Sequence, residues 1–547
     1  MNHELKIRTD RILIRVIWPV FLLGLCGLAN AADVASTVPA TTVEAAVEPP
    51  PKISFDIKRF IVDGATLITR IDFDRAVAPF VGRNKDFADV QHALEAVEEL
   101  YVLHGYSAVH VLLPEQELEA GVVHFQVIES HLGKVVVKDN RFVSEANVLN
   151  ALRSVRKGAV PQARKMAREL KLANENPSRQ LNVVLKAGEA DDQVDASVLV
   201  TDSKPQSVSL TLDNTGSAET GRSRLGFSYR HANVFDADHV MQIQTQFSPQ
   251  HPSRVSVLGG SYKIPLYQYG HSVDFFGGYS NVNSLVGGLS NFQGGGLMLN
   301  SRYNIPLERW GTFDPRLSFG FDWRKFSKVE MTNPPVTTLY NDIVATPLSV
   351  AYATQGRVGK SGDANFNVSF ALNVPLSSKG KSANFAAYDR VNFSKPTPGY
   401  KVLRYGAGYF TAFAKDWQFR TAFSGQWSGD LLIQGEQMRL GGADGVRGFS
   451  EGSETGEIGN KLNLEITTPT YEKSDVILRG VLFLDGGVVK AKSGNTTAIS
   501  GAGFGLRSGY SDQYSLRLDA GRILKAGSDP QQLAGDWRLH ATLSATF

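Results

Sequence analysis

The chain has 547 residues, of which 42% are hydrophobic, and its 57 Lys and Arg against 54 Asp and Glu give a net charge of +3. This near balance excludes the strongly basic character that a nucleic-acid partner requires. The single cysteine, Cys26, excludes a disulfide within the chain.

The N-terminus predicts a secretory signal peptide over residues 1–31. A basic segment precedes an apolar run, 16–28, that is shorter than the ~20 residues a spanning helix needs. The small residues Ala29-Asn30-Ala31 then form a cleavage site. We expect cleavage after Ala31, which removes Cys26. The basic residues are Lys6, Arg8, Arg11 and Arg15.

Residues 32–51 predict a linker, because they are rich in Ala, Thr, Val and Glu and end in three prolines. Composition then changes near Ser203. Only 9 of the 52 glycines precede residue 205, and 42 of the 53 aromatic residues follow residue 204. The part before this boundary mixes helix and strand patterns, whereas the part after it consists of successive strand patterns.

Residues 52–130 predict a compact α/β unit. Val90, Leu94, Val97 and Tyr101 recur at helical spacing and give one segment an apolar face. The predicted elements are a strand over 53–62, a helix from its N-cap Asp86 to about His104, and strands over 108–112 and 122–128.

Residues 131–204 repeat this pattern more loosely. Two consecutive α/β units predict a pair of periplasmic domains, whose sheet edges can take up an extended peptide as an added strand. The predicted elements are a strand over 134–137, helices over 144–155 and 162–172, and strands over 181–187 and 194–200.

Residues 205–547 alternate between apolar and polar positions, clearly so at 317–324, 461–467 and 514–521. Such alternation fits a soluble sandwich or a membrane barrel. The secretory signal, the aromatic content and the length favour the barrel. These residues divide into 16 strands at roughly 21 residues for each strand and its connection, so we expect a closed, antiparallel 16-stranded transmembrane barrel.

The last strand pattern ends in an aromatic residue. Leu539, Ala541, Leu543 and Ala545 alternate up to Phe547. A terminal phenylalanine on an amphipathic strand resembles the signal that the outer-membrane barrel assembly machinery reads. This machinery and the lipid bilayer are therefore expected partners.

A glycine-rich run, 439–452, lies between two of the strand patterns. A long loop of this composition is neither a helix nor an ordinary strand, and the inside of a barrel is the surface onto which it can fold. We take about 435–460 as an inward-folding loop. Its central residues are Val446, Arg447, Gly448 and Phe449.

With these features the chain resembles the ShlB/FhaC/HecB family. This family is the outer-membrane transporter component (TpsB) of two-partner, type V secretion, within the larger POTRA-plus-barrel superfamily. The resemblance covers about residues 54–547. The matching residues are Tyr101, Gly105-Tyr106, Leu113-Pro114-Glu115-Gln116 and Gly121 in the first POTRA-like domain, Asn174-Glu175-Asn176-Pro177 in the second, and Val446-Arg447-Gly448-Phe449 and Phe483-Leu484-Asp485-Gly486-Gly487 in the barrel.

The resemblance implies a Gram-negative outer-membrane translocator. Its periplasmic POTRA domains would capture a large unfolded TpsA-like exoprotein, such as an adhesin or a haemolysin-like toxin, and its barrel would release that protein at the cell surface. We expect a monomer without cofactor, metal or nucleic acid.

The resemblance also implies that the glycine-rich loop enters the lumen with Arg447 at its tip. Period two sends Arg479, Phe483 and Asp485 inward, so Asp485 can receive the guanidinium in a bidentate pair. The alternative is that Arg447 is a solvated loop arginine.

Two alternatives to a translocator match parts of the sequence. An insertase that assembles barrels belongs to the same superfamily, but two α/β units rather than five argue against it. The run Gly448-Phe449-Ser450-Glu451-Gly452 matches the Gly-x-Ser-x-Gly pattern of serine hydrolases. That chemistry needs a strand–turn–helix setting and a histidine base, so we expect no enzyme.

Overall fold

The computed structural model describes residues 54–117, 120–217, 220–253, 255–281, 295–331, 337–390, 392–492 and 494–547. The predicted signal peptide and linker lie outside these ranges. Among the described residues, the helices are all too short or too polar to cross a membrane.

A first α/β unit contains a sheet in the order β2-β5-β4, with an apolar core between the sheet and its helices. As predicted, Asp86 caps a helix, because its carboxylate accepts the N–H of Asp89. The predicted strand over 53–62 is broken at Lys58, which bonds to the carbonyl of Gly121 at 2.7 Å. The elements are β1 (Phe55–Ile57), β2 (Arg59–Asp63), α1 (Arg70–Val77), β3 (Gly82–Lys85), α2 (Phe87–Leu103), β4 (Val109–Leu112) and β5 (Val122–Glu129).

A second α/β unit follows, with its sheet in the order β6-β8-β7. The helix predicted over 144–155 is too long, because the observed helix ends at Ala151. Ser154 donates its N–H and hydroxyl to the buried Glu169 carboxylate at 2.9 and 2.5 Å, which holds this segment in a turn. The elements are β6 (His131–Lys138), α3 (Glu145–Ala151), α4 (Ala163–Ala173), β7 (Arg179–Ala187) and β8 (Gln193–Asp202).

The remaining strands form a closed antiparallel barrel. Its elements are β9 (Gln206–Asp213), β10 (Arg224–Val234), β11 (His239–Phe247), β12 (Ser256–Leu266), β13 (His271–Ser280), β14 (Gly296–Pro306), β15 (Phe313–Phe326), β16 (Val329–Met331), β17 (Thr337–Tyr340), β18 (Ile343–Ala345), β19 (Pro347–Val358), β20 (Gly362–Asn373), α5 (Ser382–Ala386), β21 (Lys401–Phe413), β22 (Trp417–Trp427), β23 (Met438–Leu440), β24 (Glu454–Gly456), β25 (Ile458–Thr467), β26 (Tyr471–Lys473), β27 (Val476–Lys490), β28 (Thr496–Tyr510), β29 (Tyr514–Lys525) and β30 (Trp537–Thr546).

The wall of this barrel has 16 strands, which confirms the predicted number. β18 continues into β19 across Thr346, and β26 continues β25, so each pair counts as one wall strand. The hairpins β16–β17 and β23–β24 belong to loops. β30 pairs with β9 and closes the wall.

The two faces of the wall differ as the alternation predicts. On β15, Phe319 and Phe321 point outward and are exposed, whereas the adjacent Asp322 points inward and is buried. On β27, Leu482 and Leu484 are exposed while Phe483 and Asp485 are buried. An apolar outer face against lipid and a polar lumen define a membrane barrel.

The first barrel strand begins, and the last barrel strand ends, on the side of the barrel where the α/β units lie. β9 leaves the second unit directly, and β30 returns to the same edge. There Phe547, just beyond the strand, exchanges backbone hydrogen bonds with Val208 at 2.8 and 2.9 Å. The connection between β22 and β25, residues 428–457, therefore lies at the opposite, outer end.

Candidate functional site

The long outer loop, 428–457, turns back into the lumen. Its stem contains the hairpin β23–β24, in which Met438 pairs with Gly456 and Leu440 with Glu454. Residues 441–453 form the tip. A cavity of about 2320 Å³ remains between this loop and the wall.

Arg447 at the tip is 2% exposed and binds Asp485 in a bidentate pair. Its Nε lies 2.7 Å from one carboxylate oxygen and its Nη2 lies 2.9 Å from the other. The backbone N–H of Arg447 also donates to Asp485 at 3.1 Å. This geometry fixes both the position and the orientation of the guanidinium.

Further groups on the wall complete the pocket for Arg447. Glu465 on β25 accepts its Nη1 at 2.5 Å, and Asp519 on β29 lies 3.7 Å away. The guanidinium carbon stands 3.6 Å from the ring centre of Phe483, which is a cation–π contact. Three carboxylates and one aromatic face therefore surround one buried cation.

The neighbours of Arg447 insert into an apolar pocket. Val446 is 0% and Phe449 is 1% exposed, and they pack with Leu440 of the stem and with the wall residues Val489, Ile499 and Ile523. Gly448 between them has φ +102°, which glycine adopts without strain. The glycine turns the chain so that the arginine and the phenylalanine enter different pockets.

The wall beneath the tip carries a glycine surface that the sequence interpretation missed. A Cβ on Gly501 would overlap the carbonyl oxygen of Arg447, and a Cβ on Gly521 would lie 2.6 Å from the nitrogen of Gly448. Gly503 likewise gives room to the ring of Phe483, since a Cβ there would lie 2.6 Å from Cζ. The signal was available as the period-two glycines 501, 503 and 505 on one inward face.

Gly487, the last residue of the predicted barrel motif, likewise leaves room for the loop. A Cβ at Gly487 would lie 2.8 Å from Cδ1 of Leu440 in the loop stem. A second missed residue is Asn463 on β25, whose amide donates to Asp485 at 2.8 Å and to the carbonyl of Gly445 at 2.7 Å. Asn463 thus connects the wall carboxylate to the loop backbone.

In the first α/β unit, Tyr101 is buried and donates its hydroxyl to Glu129 at 2.8 Å. The same carboxylate accepts the N–H groups of Thr66 and Leu67 at 2.7 and 2.9 Å. Burial alone raises the pKa of Glu129, but these hydrogen bonds outweigh burial and hold the pKa below its ordinary value. The side chain of Tyr101 is therefore part of the interior of the first α/β unit.

Gly105 and Tyr106 lie at the junction of the two α/β units. The carbonyl of Gly105 accepts the N–H of Ala163, the first residue of α4, at 2.7 Å. Tyr106 forms an isolated bridge with Gln162. Gln116 instead closes the edge of β5, by exchanging bonds of 2.7 and 2.9 Å with the backbone of His124, and Pro114 beside it is exposed.

Asn176 lies where the second unit meets the barrel. Its amide donates to the carbonyl of Ala232 at 2.7 Å and its oxygen accepts the N–H of Ser178 at 3.0 Å, while Pro177 is exposed. The adjacent Arg179 forms a buried ion pair with Asp238 in the β10–β11 turn. Tyr267 of the next turn also donates to Asp238, at 2.6 Å.

This junction was not predicted, because an isolated Arg179 and Asp238 have no sequence motif that connects them. Its other contacts are polar as well. Glu175 pairs with Lys263 at 2.5 Å and with Arg316, and Lys171 pairs with Asp314 at 3.0 Å. The second unit is thus fastened to three turns of the barrel.

Within the described ranges no cluster of three or more His, Cys, Asp or Glu residues is arranged to hold a metal ion. Several carboxylates of the lumen are instead paired with arginines. Asp519, for example, accepts Arg517 Nε at 2.8 Å and Arg507 Nη2 at 3.1 Å.

A closed 16-stranded barrel with two α/β units at its inner end and a buried loop inside it defines an outer-membrane protein of the POTRA-plus-barrel class. The POTRA units of this class lie in the periplasm. Residues 194–508 match the family described as haemolysin secretion/activation protein ShlB/FhaC/HecB, and residues 55–130 match its ShlB-type POTRA domain. The first match covers more than half of the chain, so the chain belongs to this family.

Individual relatives are distant but extensive. The outer membrane transporter CdiB of Escherichia coli O6:K15:H31 (strain 536 / UPEC) is 24% identical over 441 residues, which cover 79% of this chain and 72% of the relative. The heme/hemopexin transporter protein HuxB of Haemophilus influenzae (strain ATCC 51907 / DSM 11121 / KW20 / Rd) is 21% identical over 471 residues, or 81% and 79%. The solved structure of CdiB from Escherichia coli has a TM-score of 0.74 at 20% identity and covers 93% of both chains. This likeness confirms the fold.

Proposed function

We propose that the chain captures an unfolded partner exoprotein in the periplasm and secretes it through the barrel to the cell surface. The observation that carries this proposal is the Arg447 loop, which enters a lumen large enough to need closing and is held there by contacts that can be broken. One relative is named as an outer membrane transporter and the other as a heme/hemopexin transporter protein. The exoprotein would be a large TpsA-like adhesin or haemolysin-like toxin.

The α/β units would bind the exoprotein partly through their sheet edges. β4 and β6 each pair with one neighbour in their sheets, so an extended peptide can add there as a further strand. The described residues contain no nucleotide-binding motif. Directional folding of the exoprotein outside the cell is therefore the proposed source of free energy.

The proposal is tested by deleting the gene and measuring the exoprotein in the medium. Cells complemented with the wild-type chain should secrete the exoprotein, and cells complemented with Arg447→Ala should secrete at least about tenfold less. The reason is that the substitution leaves Asp485 buried without its cation, at a cost of about 3 kcal/mol to the loop position on which transport is proposed to depend. The control is Arg357→Ala, at an exposed position on the periplasmic end of β19.

Arg447→Ala should still insert as a folded barrel, because the wall strands keep their backbone pairing. Wild-type secretion from this variant would contradict the role of the loop. A general loss of outer-membrane barrels after gene deletion, rather than of one exoprotein, would favour the alternative function of a barrel-assembly insertase.

We further propose that the protein acts as a monomer without enzymatic activity, and that Phe547 is read by the barrel assembly machinery during insertion. Ser450 lies in the lumenal loop, where its N–H donates to Gln532 at 2.7 Å. The described elements around it are loop and strand rather than the strand–turn–helix that a nucleophilic serine needs.

A further inference from the structure

The inward loop is held at a second place, far from Arg447. Glu436 in its stem is 2% exposed and accepts a hydrogen bond from each of two arginines. Arg324 Nη1 lies 2.8 Å from one carboxylate oxygen, and Arg404 Nη2 lies 2.9 Å from the other. The backbone carbonyl of Glu436 also accepts the amide of Gln426 at 2.9 Å.

The two places use different strands of the barrel wall. Arg324 is on β15 and Arg404 on β21, whereas the partners of Arg447 are on β25, β27 and β29. In the order of strands around the wall, β15 and β29 lie half the circumference apart, whereas β21 and β25 are separated by β22 alone. The charges are also reversed, since the stem presents an anion to wall cations and the tip presents a cation to wall anions.

An apolar cluster adjoins Glu436 inside the outer end of the barrel. Phe276, Met298, Phe326 and Ile343 project from the inner face of neighbouring wall strands. Leu432 and Ile433 of the loop stem and Phe385, Tyr388 and Tyr400 around the outer loop 374–400 complete the cluster.

Such a cluster is out of place in an aqueous lumen, where apolar groups are stable only if they are covered. Phe385 and Ile433 are each 0% exposed. The loop 374–400 and the loop stem therefore cover this part of the wall and close the outer mouth on the side away from Arg447.

We propose that Glu436 is a positioning residue for transport, which holds the loop stem to the wall beside loop 374–400, so that passage requires these contacts to open as well as the Arg447 contacts. The proposal rests on the transport function proposed above and adds a second lock to it.

The first test measures ion conductance of the full chain in planar bilayers, which needs no exoprotein. Glu436→Gln should raise the conducting fraction about tenfold, because a neutral amide replaces the charged acceptor of both arginines. The variant should fold, because both arginines retain another hydrogen bond. Arg324 still donates to Asp322 at 2.5 Å, and Arg404 still donates to Gln426 at 2.9 Å. The matched control is Glu472→Gln, because Glu472 is an exposed glutamate on β26, outside the inward loop.

The second test uses a disulfide to join loop 374–400 to the neighbouring outer hairpin β16–β17. Tyr340 and Asp389 face each other in an isolated antiparallel bridge, flanked by the bonds Asn341 N–H to Tyr388 and Arg390 N–H to Leu339, both 2.9 Å. Opposed residues of this kind lie about 4.5 Å apart at Cα, within the range that a disulfide spans. Oxidised Tyr340→Cys/Asp389→Cys should abolish the added conductance of Glu436→Gln and block secretion, and a reductant should restore both.

The results separate this proposal from the proposed function. A Glu436→Gln chain that conducts like wild type, or an oxidised double-cysteine chain that secretes like its reduced form, overturns the second lock. Gene deletion that leaves exoprotein secretion intact overturns the transport function, whereas the conductance measurement still decides whether Glu436 closes the barrel.

Discussion

Arg447 and Arg179 are each 2% exposed and each pairs with a buried aspartate, yet they hold different kinds of junction. Arg179 connects a β-strand of the second α/β unit to short turns of the barrel, so both sides are fixed. Arg447 connects a glycine-rich loop to the wall, beside a cavity of about 2320 Å³. The same two residue types therefore join two structured elements in one place and a glycine-rich loop to the wall in the other.

The largest effect is expected at the fixed joint. Arg179→Ala leaves Asp238 buried without its cation, which should cost about 4 kcal/mol. Hydrogen exchange of the turn 233–238 in the full chain should accelerate by at least about a hundredfold. The junction at Gly105 and Ala163 should exchange as in wild type.

The matched control for this joint is Arg153→Ala, an exposed arginine on the same unit. It should leave exchange at both junctions unchanged. If Arg179→Ala leaves the turn protected, the joint does not depend on its ion pair, and the contrast with Arg447 fails.

A smaller effect is expected from filling the glycine surface under the loop tip. In Gly501→Ala the new methyl group would overlap the carbonyl oxygen of Arg447, and overpacking of this kind costs about 2 kcal/mol. Secretion should fall while the barrel remains folded, and a cysteine placed in the tip should become easier to label.

Gly486→Ala is the control, since its Cβ would meet its nearest neighbour at 3.9 Å, an ordinary contact. Equal labelling of the tip in the two variants would show that the glycine surface does not hold the loop.

The smallest effect is expected within the first α/β unit, away from both junctions. Tyr101→Phe removes the 2.8 Å bond to Glu129 and should lower stability by about 1 kcal/mol. Helix circular dichroism during thermal unfolding of the full chain measures this change. Because the pKa of Glu129 is lowered in the folded state, its contribution is present above the pKa of an unfolded glutamate, about 4.3, and is lost as the pH falls further.

The difference between Tyr101→Phe and wild type should therefore shrink below about pH 4. Tyr106→Phe is the control, because no hydrogen bond of the Tyr106 hydroxyl is found among the described contacts. A difference that persists unchanged in acid would mean that the tyrosine acts through packing rather than through Glu129.

The structural features that depend on local periodicity were predicted from the sequence. Alternation identified the wall strands and put Phe483 and Asp485 on the inner face, where the structure places them against Arg447. The helix end at Ala151 was missed, because the turn that follows it depends on Glu169, a residue in another helix.

Contacts between distant residues had no such signal. Glu436 and its partners Arg324 and Arg404 are separated by long stretches of chain, and each is an ordinary charged residue in sequence. Their pairing follows from the closure of the barrel, which brings β15 and β21 to the same lumen. Polar junctions between folded units are therefore what a single sequence shows least.

The apolar cluster around Phe385 and Ile433 has a consequence for the cell envelope. Unobstructed barrels of 16 strands hold a water-filled channel that passes small solutes. The covered outer mouth closes the barrel to small solutes when no exoprotein is passing. The same side chains therefore also keep antibiotics and detergents outside. Loss of these contacts should therefore make the outer membrane more permeable to small solutes.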